Sequence, residues 1–181
     1  LVHDPTTVVH SPAEFAPERT VITTGLSKNL ALGGWRIGVA RLPDSDTGRH
    51  IHAALLGIAS EIWSSPSGPV QRAAAYAFQE PAEIVDLVAR SRRLHGLVAR
   101  AVAERFRAAG VPVIAPQAAF YLYPDFGVWR EWLGEAHGVT TGPELTRMLL
   151  DRYGMGVLPA VEFGESPHAL RGRGATSLLY G

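Results

Sequence analysis

The sequence predicts a fragment of an α/β unit followed by a small α+β unit, and three features carry that expectation. A β-branched run at residues 20–24 and a second apolar run at 35–41 flank a loop of glycine, serine and lysine. Apolar residues keep close to a 3.6-residue period from Pro81 to Ala109, which describes one long amphipathic helix. Beyond it, short apolar runs alternate with helical segments, one of them clearly capped.

Residues 1–19 hold Pro5, Pro12 and Pro17 among polar turn formers and read as loop. Thr20, Val21, Ile22, Thr23 and Thr24 predict a short buried strand ending at Gly25. Ser27 and Lys28 follow it at once, and after Gly33 and Gly34 a second strand is expected over 35–41, closed by Leu42 and Pro43. From Asp44 the pattern turns helical, with a turn cluster at 64–69 and another helix over 70–78. Pro81 suits the first turn of the long helix, 82–109, and Gly110 suits its stop. At 1.5 Å per residue such a helix spans about 40 Å, enough to bridge two domains. The domain boundary is therefore expected within it, giving residues 1–88 and 89–181.

In the second part, strands are expected at 111–114 and 119–123 and a short helix at 128–136. Thr141, Gly142, Pro143 and Glu144 form a capping-box signature ahead of Leu145, Met148 and Leu149, and Gly154 ends that helix. Strands at 156–159 and 170–178 complete the pattern. Trp129 and Trp132, near Tyr121 and Tyr123, are expected in the core of this part.

Composition removes several classes of function. With 46% hydrophobic positions among 181 residues the chain can bury a core. Seventeen basic residues balance seventeen acidic ones, so no global field attracts nucleic acid or an anionic membrane. Cysteine is absent, which excludes disulfides, thiolate ligands and cysteine nucleophiles and fits a reducing compartment; the expected location is cytoplasmic. No run approaches the roughly 20 apolar residues of a membrane span. The chain opens on Leu1 without a methionine and reads as an excerpt. Of seven histidines only His50 and His52 lie close together, so a metal site is not expected.

Sixteen of the seventeen basic residues are arginine, and Lys28 is the lone lysine. Arginine replaces lysine at most surfaces but cannot form a Schiff base, because its guanidinium stays protonated. A solvent-exposed leftover is the plain alternative, and the surrounding residues decide between them. Gly25, Leu26, Ser27 and Lys28 precede Gly34, Trp35, Arg36, Ile37 and Gly38, with Arg36 eight positions after Lys28. Later come Gly156, Val157, Leu158 and Pro159, then Phe163 and Gly164, then Arg171 with Ala175, Thr176 and Ser177.

These two segments resemble the class I and II aminotransferases that depend on pyridoxal 5'-phosphate, and the resemblance covers essentially the whole chain as the second half of a longer protein. It implies fold type I: the C-terminal part of the large cofactor domain, then the small domain. Lys28 would anchor the cofactor as a Schiff base and act as general base. Arg36 would grip the cofactor phosphate, with the Ser27 hydroxyl beside it. Arg171 would bind the substrate α-carboxylate. Arg173 shares its strand face, and only the distance to Ala175, Thr176 and Ser177 favours Arg171.

Four positions depart from the family pattern. Gly25 stands where many members carry a hydroxyl, Ala160 where glycine is common, and Gly172 and Gly174 where glycine weakens a strand. The resemblance also implies a homodimer, with an amino acid and a 2-oxo acid as substrates. It leaves two alternatives, a lyase or synthase of the same fold and a non-catalytic sensor domain of a transcription regulator.

Overall fold

A computed structural model describes residues 1–177 and 179. The chain forms two compact units, Thr6–Ser91, and Leu1–Pro5 together with Arg92–Gly181. Among the described residues no helix is long and apolar enough to cross a membrane.

The first unit opens with α1 (Pro12–Phe15) and a 3-10 turn, Pro17–Arg19, inside the segment expected to be loop. Ser11 caps α1 through Ala13, and Glu14 returns a carboxylate to the Ser11 amide, so a complete capping box lies within the proline-rich stretch. Strands β1 (Ile22–Gly25) and β2 (Gly38–Arg41) form an antiparallel pair. The first strand is shorter than expected and is not buried: Thr23 and Thr24 are exposed, and the Thr20 hydroxyl turns back to the Ala16 carbonyl at 2.7 Å.

Helices α2 (Asp46–Ile62) and α3 (Gly68–Ala77) follow, with Ser45 capping the first through Gly48. Within this unit Leu26, Ile37, Ala74 and Ala77 form the buried cluster, so α3 packs against the ends of the β1–β2 connection. Much of α2 is apolar yet exposed, including Leu56, Ile62 and the following Trp63.

Helix α4 (Ala82–Ala108) is the long helix that the period predicts; its first residues belong to the first unit and its last to the second. Gly110 turns the chain out of it at φ 77°, a conformation that costs glycine nothing. The second unit holds β3 (Tyr121–Leu122), α5 (Arg130–His137), α6 (Gly142–Tyr153), β4 (Val157–Pro159) and β5 (Gly172–Ala175). The sheet is antiparallel in the order β3-β5-β4, and α6 contributes Leu145 and Leu149 to a core with Leu133, Phe126 and Leu170. The first residues of the chain join this unit, because the Ala119 amide donates to the Leu1 carbonyl and the His3 amide to that of Gln117.

Residues 111–114 make no strand. Their polar groups are taken elsewhere: the Pro112 carbonyl accepts from the Asp125 amide, and the Val113 carbonyl accepts from the Arg107 guanidinium. The expected strand over 119–123 shrinks to β3, and the one over 170–178 to β5, with Leu178 outside the described residues. Trp129 and Trp132 are not core residues. They are exposed and form an edge-to-face row from Phe126 to His137.

Gly172 is required by close packing, since a Cβ there would lie 2.5 Å from Val157 Cγ1 and 2.8 Å from the Leu158 carbonyl. Gly172→Ala is therefore expected to destabilise the chain by about 1–3 kcal/mol in urea denaturation, as overpacking does. Gly174 faces open space, so Gly174→Ala serves as the mild control.

Thr141 caps α6 and Glu144 closes the box, accepting from the backbone amides of Thr140 and Thr141 and from the Thr140 hydroxyl. The Thr140 amide is the largest of the causes that hold the Glu144 carboxyl down at about 2. A depressed carboxyl stabilises the fold above its ordinary value and loses that contribution as pH falls through the folded value. Thermal melts followed by circular dichroism should show a stability loss between about pH 4.5 and about pH 2 that Glu144→Gln diminishes.

Candidate functional site

The β1–β2 pair ends at Gly25 opposite Gly38, and this juncture closes the loop 26–37. The two glycines permit a tight approach: a Cβ on Gly25 would sit 3.0 Å from the Ile37 carbonyl, and one on Gly38 would sit 3.3 Å from that of Thr24. Leu26 and Ile37, the first and last residues of the loop, are both buried against α3. Leu30 and Leu32 pack on the same cluster, and the Leu32 amide donates to the Leu26 carbonyl at 3.1 Å. These four apolar residues face inward, while Trp35 remains exposed.

Lys28 is exposed on this loop and Ser27 is half-buried beside it. Gly33 is the neighbour of Ser27, since a Cβ on Gly33 would lie 3.8 Å from the Ser27 carbonyl and 3.9 Å from its Cβ. A 3-10 turn, Gly33–Trp35, ends at Arg36, which adopts the left-handed conformation at φ 52° and ψ 46°. For a residue with a Cβ that conformation costs about 1 kcal/mol or more. It is held by the side chain itself, whose Nη1 donates to the Gly33 carbonyl at 2.8 Å. Ser27, Gly33 and Arg36 therefore form one linked group next to the only lysine. Asn29 adds a buried Oδ1 that takes no hydrogen bond from the described residues.

In the second unit Arg171 stands just before β5 and pairs with Asp125 as an isolated antiparallel bridge. Its Nε donates to Asp125 Oδ2 at 2.8 Å and its Nη1 to Glu165 Oε2 at 3.1 Å. The Tyr123 hydroxyl donates to the other Glu165 oxygen at 2.7 Å. Burial, reinforced by Glu165, pushes the Tyr123 hydroxyl up to about 12, so it remains a donor through the neutral range. Asp125, chiefly, raises Arg171 further above its ordinary value. Arg173 has different company, its guanidinium carbon 4.5 Å from the Tyr121 ring centre and 4.8 Å from that of Phe163. Two arginines two positions apart thus differ in environment: one meets carboxylates, the other aromatic faces.

The family model for aminotransferase class I and II matches residues 3–174. The chain belongs to the class I and II aminotransferase family. It is 34% identical over 173 residues to the aspartate aminotransferase of Geobacillus stearothermophilus, covering 93% of this chain and 40% of that protein. It is 31% identical over 164 residues to the aspartate/prephenate aminotransferase of Cereibacter sphaeroides, covering 87% and 39%. Among solved structures, a mutant aspartate aminotransferase of Thermus thermophilus superposes with a TM-score of 0.78 at 22% identity, over 97% of this chain and 43% of that one. The aromatic aminotransferase of Pyrococcus horikoshii gives 0.72 at 24% identity, over 88% and 38%. The fold is thus that of part of a fold-type I aminotransferase. The chain spans about two fifths of the length of these relatives.

Within this chain, Ser27, Lys28 and Arg36 share one loop of the first unit, and Arg171 lies in the second. Composition and spacing gave no sign of Asp125, Glu165 and Tyr123. Glu165 follows the phenylalanine-glycine pair 163–164, and Gly164 turns the chain there at φ 83°. Ala160 fits where glycine is common, fully buried and donating its amide to the Arg171 carbonyl at 3.0 Å. In an alkaline titration of phenolate absorbance, the component lost in Tyr123→Phe should have its midpoint near 12, and Glu165→Gln should lower that midpoint towards 10.

Proposed function

We propose that this chain supplies the lysine loop and the substrate-carboxylate arginine of a pyridoxal 5'-phosphate-dependent aminotransferase, which moves an amino group between an amino acid and a 2-oxo acid. The carrying observation is the loop 26–37, which groups the only lysine with a serine and an arginine between two buried anchors. The family and the two relatives described above, which bear aminotransferase names, support this reading over a lyase, a synthase or a sensor domain.

The donor set suits the cofactor. A primary amine answers an aldehyde, a planar guanidinium and a hydroxyl answer a phosphate, and the Asn29 acceptor leaves hydrogen-bonding capacity unused. When bound, the cofactor supplies the electron sink that lets the substrate α-carbon lose its proton. Lys28 Nζ would be the covalent anchor and, once released, would hold and return that proton. Ser27 and Arg36 would fix the phosphate, and with it the position of the reacting atoms relative to Lys28. Arg171 would hold the α-carboxylate and so set which bond faces the electron sink.

On this reading the first unit corresponds to the C-terminal part of the large cofactor domain and the second to the small domain. The exposed apolar side chains of α2 are then expected to meet protein that this chain lacks, since the relatives are more than twice as long. We extend the proposal to a cytoplasmic homodimer, which the resemblance implies.

The test is to treat the chain with pyridoxal phosphate, reduce with borohydride and locate the adduct by peptide mass. An adduct on the peptide carrying Lys28, absent in Lys28→Ala, is the expected result. Arg36→Lys should weaken pyridoxal phosphate about tenfold, the loss of one charge-assisted bond, while leaving phosphate-free pyridoxal unaffected. Absence of a Lys28 adduct at saturating cofactor would contradict the assignment.

A further inference from the structure

Arg171 is already engaged by two carboxylates, and they hold it differently. Asp125 is fixed by the backbone: its amide donates to the Pro112 carbonyl, its Oδ1 accepts from the Gly127 amide, and its residue bridges to Arg171. Its Oδ2 takes Nε of Arg171 and thereby orients the guanidinium. Glu165 reaches Nη1 from the loop after Gly164, and its other carboxylate oxygen accepts from the Tyr123 hydroxyl. The Arg171 side chain is 46% exposed, and with Tyr123 and Asp125 it lines a surface recess of about 340 Å³ walled by Pro112, Val113 and Ile114. A carboxylate from solution can reach this guanidinium; of its five N–H groups Asp125 takes the one on Nε and Glu165 one on Nη1, so a substrate carboxylate that uses Nη1 as one of its two donors meets Glu165 there.

We propose that Glu165 is a tethered carboxylate resting on Arg171 in place of substrate, and that a 2-oxo acid or amino acid competes with it for Nη1. This rests on the reading of Arg171 as the carboxylate-binding group. Glu165 then sets substrate affinity, while Asp125 is a positioning residue that keeps the fork aimed. A tethered ligand competes at an effective concentration on the order of millimolar, so its removal tightens the binding of any free carboxylate. Tyr123 stabilises the resting arrangement, because its hydroxyl remains protonated and continues to donate to Glu165.

The probe is pyruvate, titrated into the full chain while the Arg171 Nε–H resonance, assigned by its loss in Arg171→Lys, is followed by nitrogen-edited NMR. Glu165→Gln keeps the side-chain shape and should tighten pyruvate about tenfold. Tyr123→Phe, which only frees Glu165, should tighten it less. Asp125→Asn should weaken it, because the fork loses its orientation. Equal tightening by Glu165→Gln and Asp125→Asn would mean simple charge repulsion and would overturn the proposal. Unchanged affinity in Glu165→Gln would overturn it too. If pyruvate perturbs Arg171 in none of the variants, the carboxylate role of Arg171 itself fails, a result distinct from the failure of Glu165 alone.

Discussion

Leu26 and Ile37 stand at the two ends of the loop that carries Lys28 and Arg36, and both leave water against Ala74 and Ala77. That burial constrains everything polar between them. Each such side chain contributes about 1.5–3 kcal/mol when fully buried, more than the left-handed backbone of Arg36 costs. The anchoring therefore tolerates a strained residue at the position where a guanidinium is needed. The Gly25–Gly38 juncture does the rest, because a side chain at either position would press on the facing carbonyl and splay the strand ends. A Cβ on Gly25 would meet the Ile37 carbonyl at 3.0 Å, so this position is tight, and it lacks the hydroxyl that many family members carry there.

The second unit solves a different problem. Arg173 lies within β5 and Arg171 just before it, two positions apart, so spacing alone leaves them equivalent. Their neighbours separate them. Tyr121 and Phe163 cover Arg173 with aromatic faces, while Asp125 and Glu165 draw Arg171 into a charged network. In so exposed a site such pairs add little stability, about 0.2–1 kcal/mol each. Their effect is on orientation and on competition for the guanidinium, which is where a substrate-binding group is sensitive.

The parts of this fold that repeat locally were legible in the sequence. The period of α4, the capping box of α6 and the glycines that end both helices depend on neighbours within a few residues. The grouping of Ser27, Lys28 and Arg36 was legible for the same reason, since one short loop holds all three. Features set by distant residues were not. Nothing near 111–114 announces that Asp125 takes the Pro112 carbonyl, so an apolar run read as a strand makes no ladder. Glycine at 172 reads as a weak strand former until the packing of Val157 and Leu158 against it is known. Asp125 lies 46 residues from Arg171, a separation that no pattern rule spans. The short α1 is a different case: its serine-to-glutamate spacing is local, and the surrounding prolines masked it.

The central claim is that the chain itself preforms the loop that presents Lys28 and Arg36. Amide hydrogen exchange tests it most directly. The Leu32 amide, which donates to the Leu26 carbonyl, should exchange slowly beside a fast Lys28 amide. Leu26→Ala should remove the Leu32 protection while the amides of α6 keep theirs. A Leu32 amide that exchanges as fast as in an unfolded peptide would contradict the account, because the donors would then have no fixed arrangement to offer.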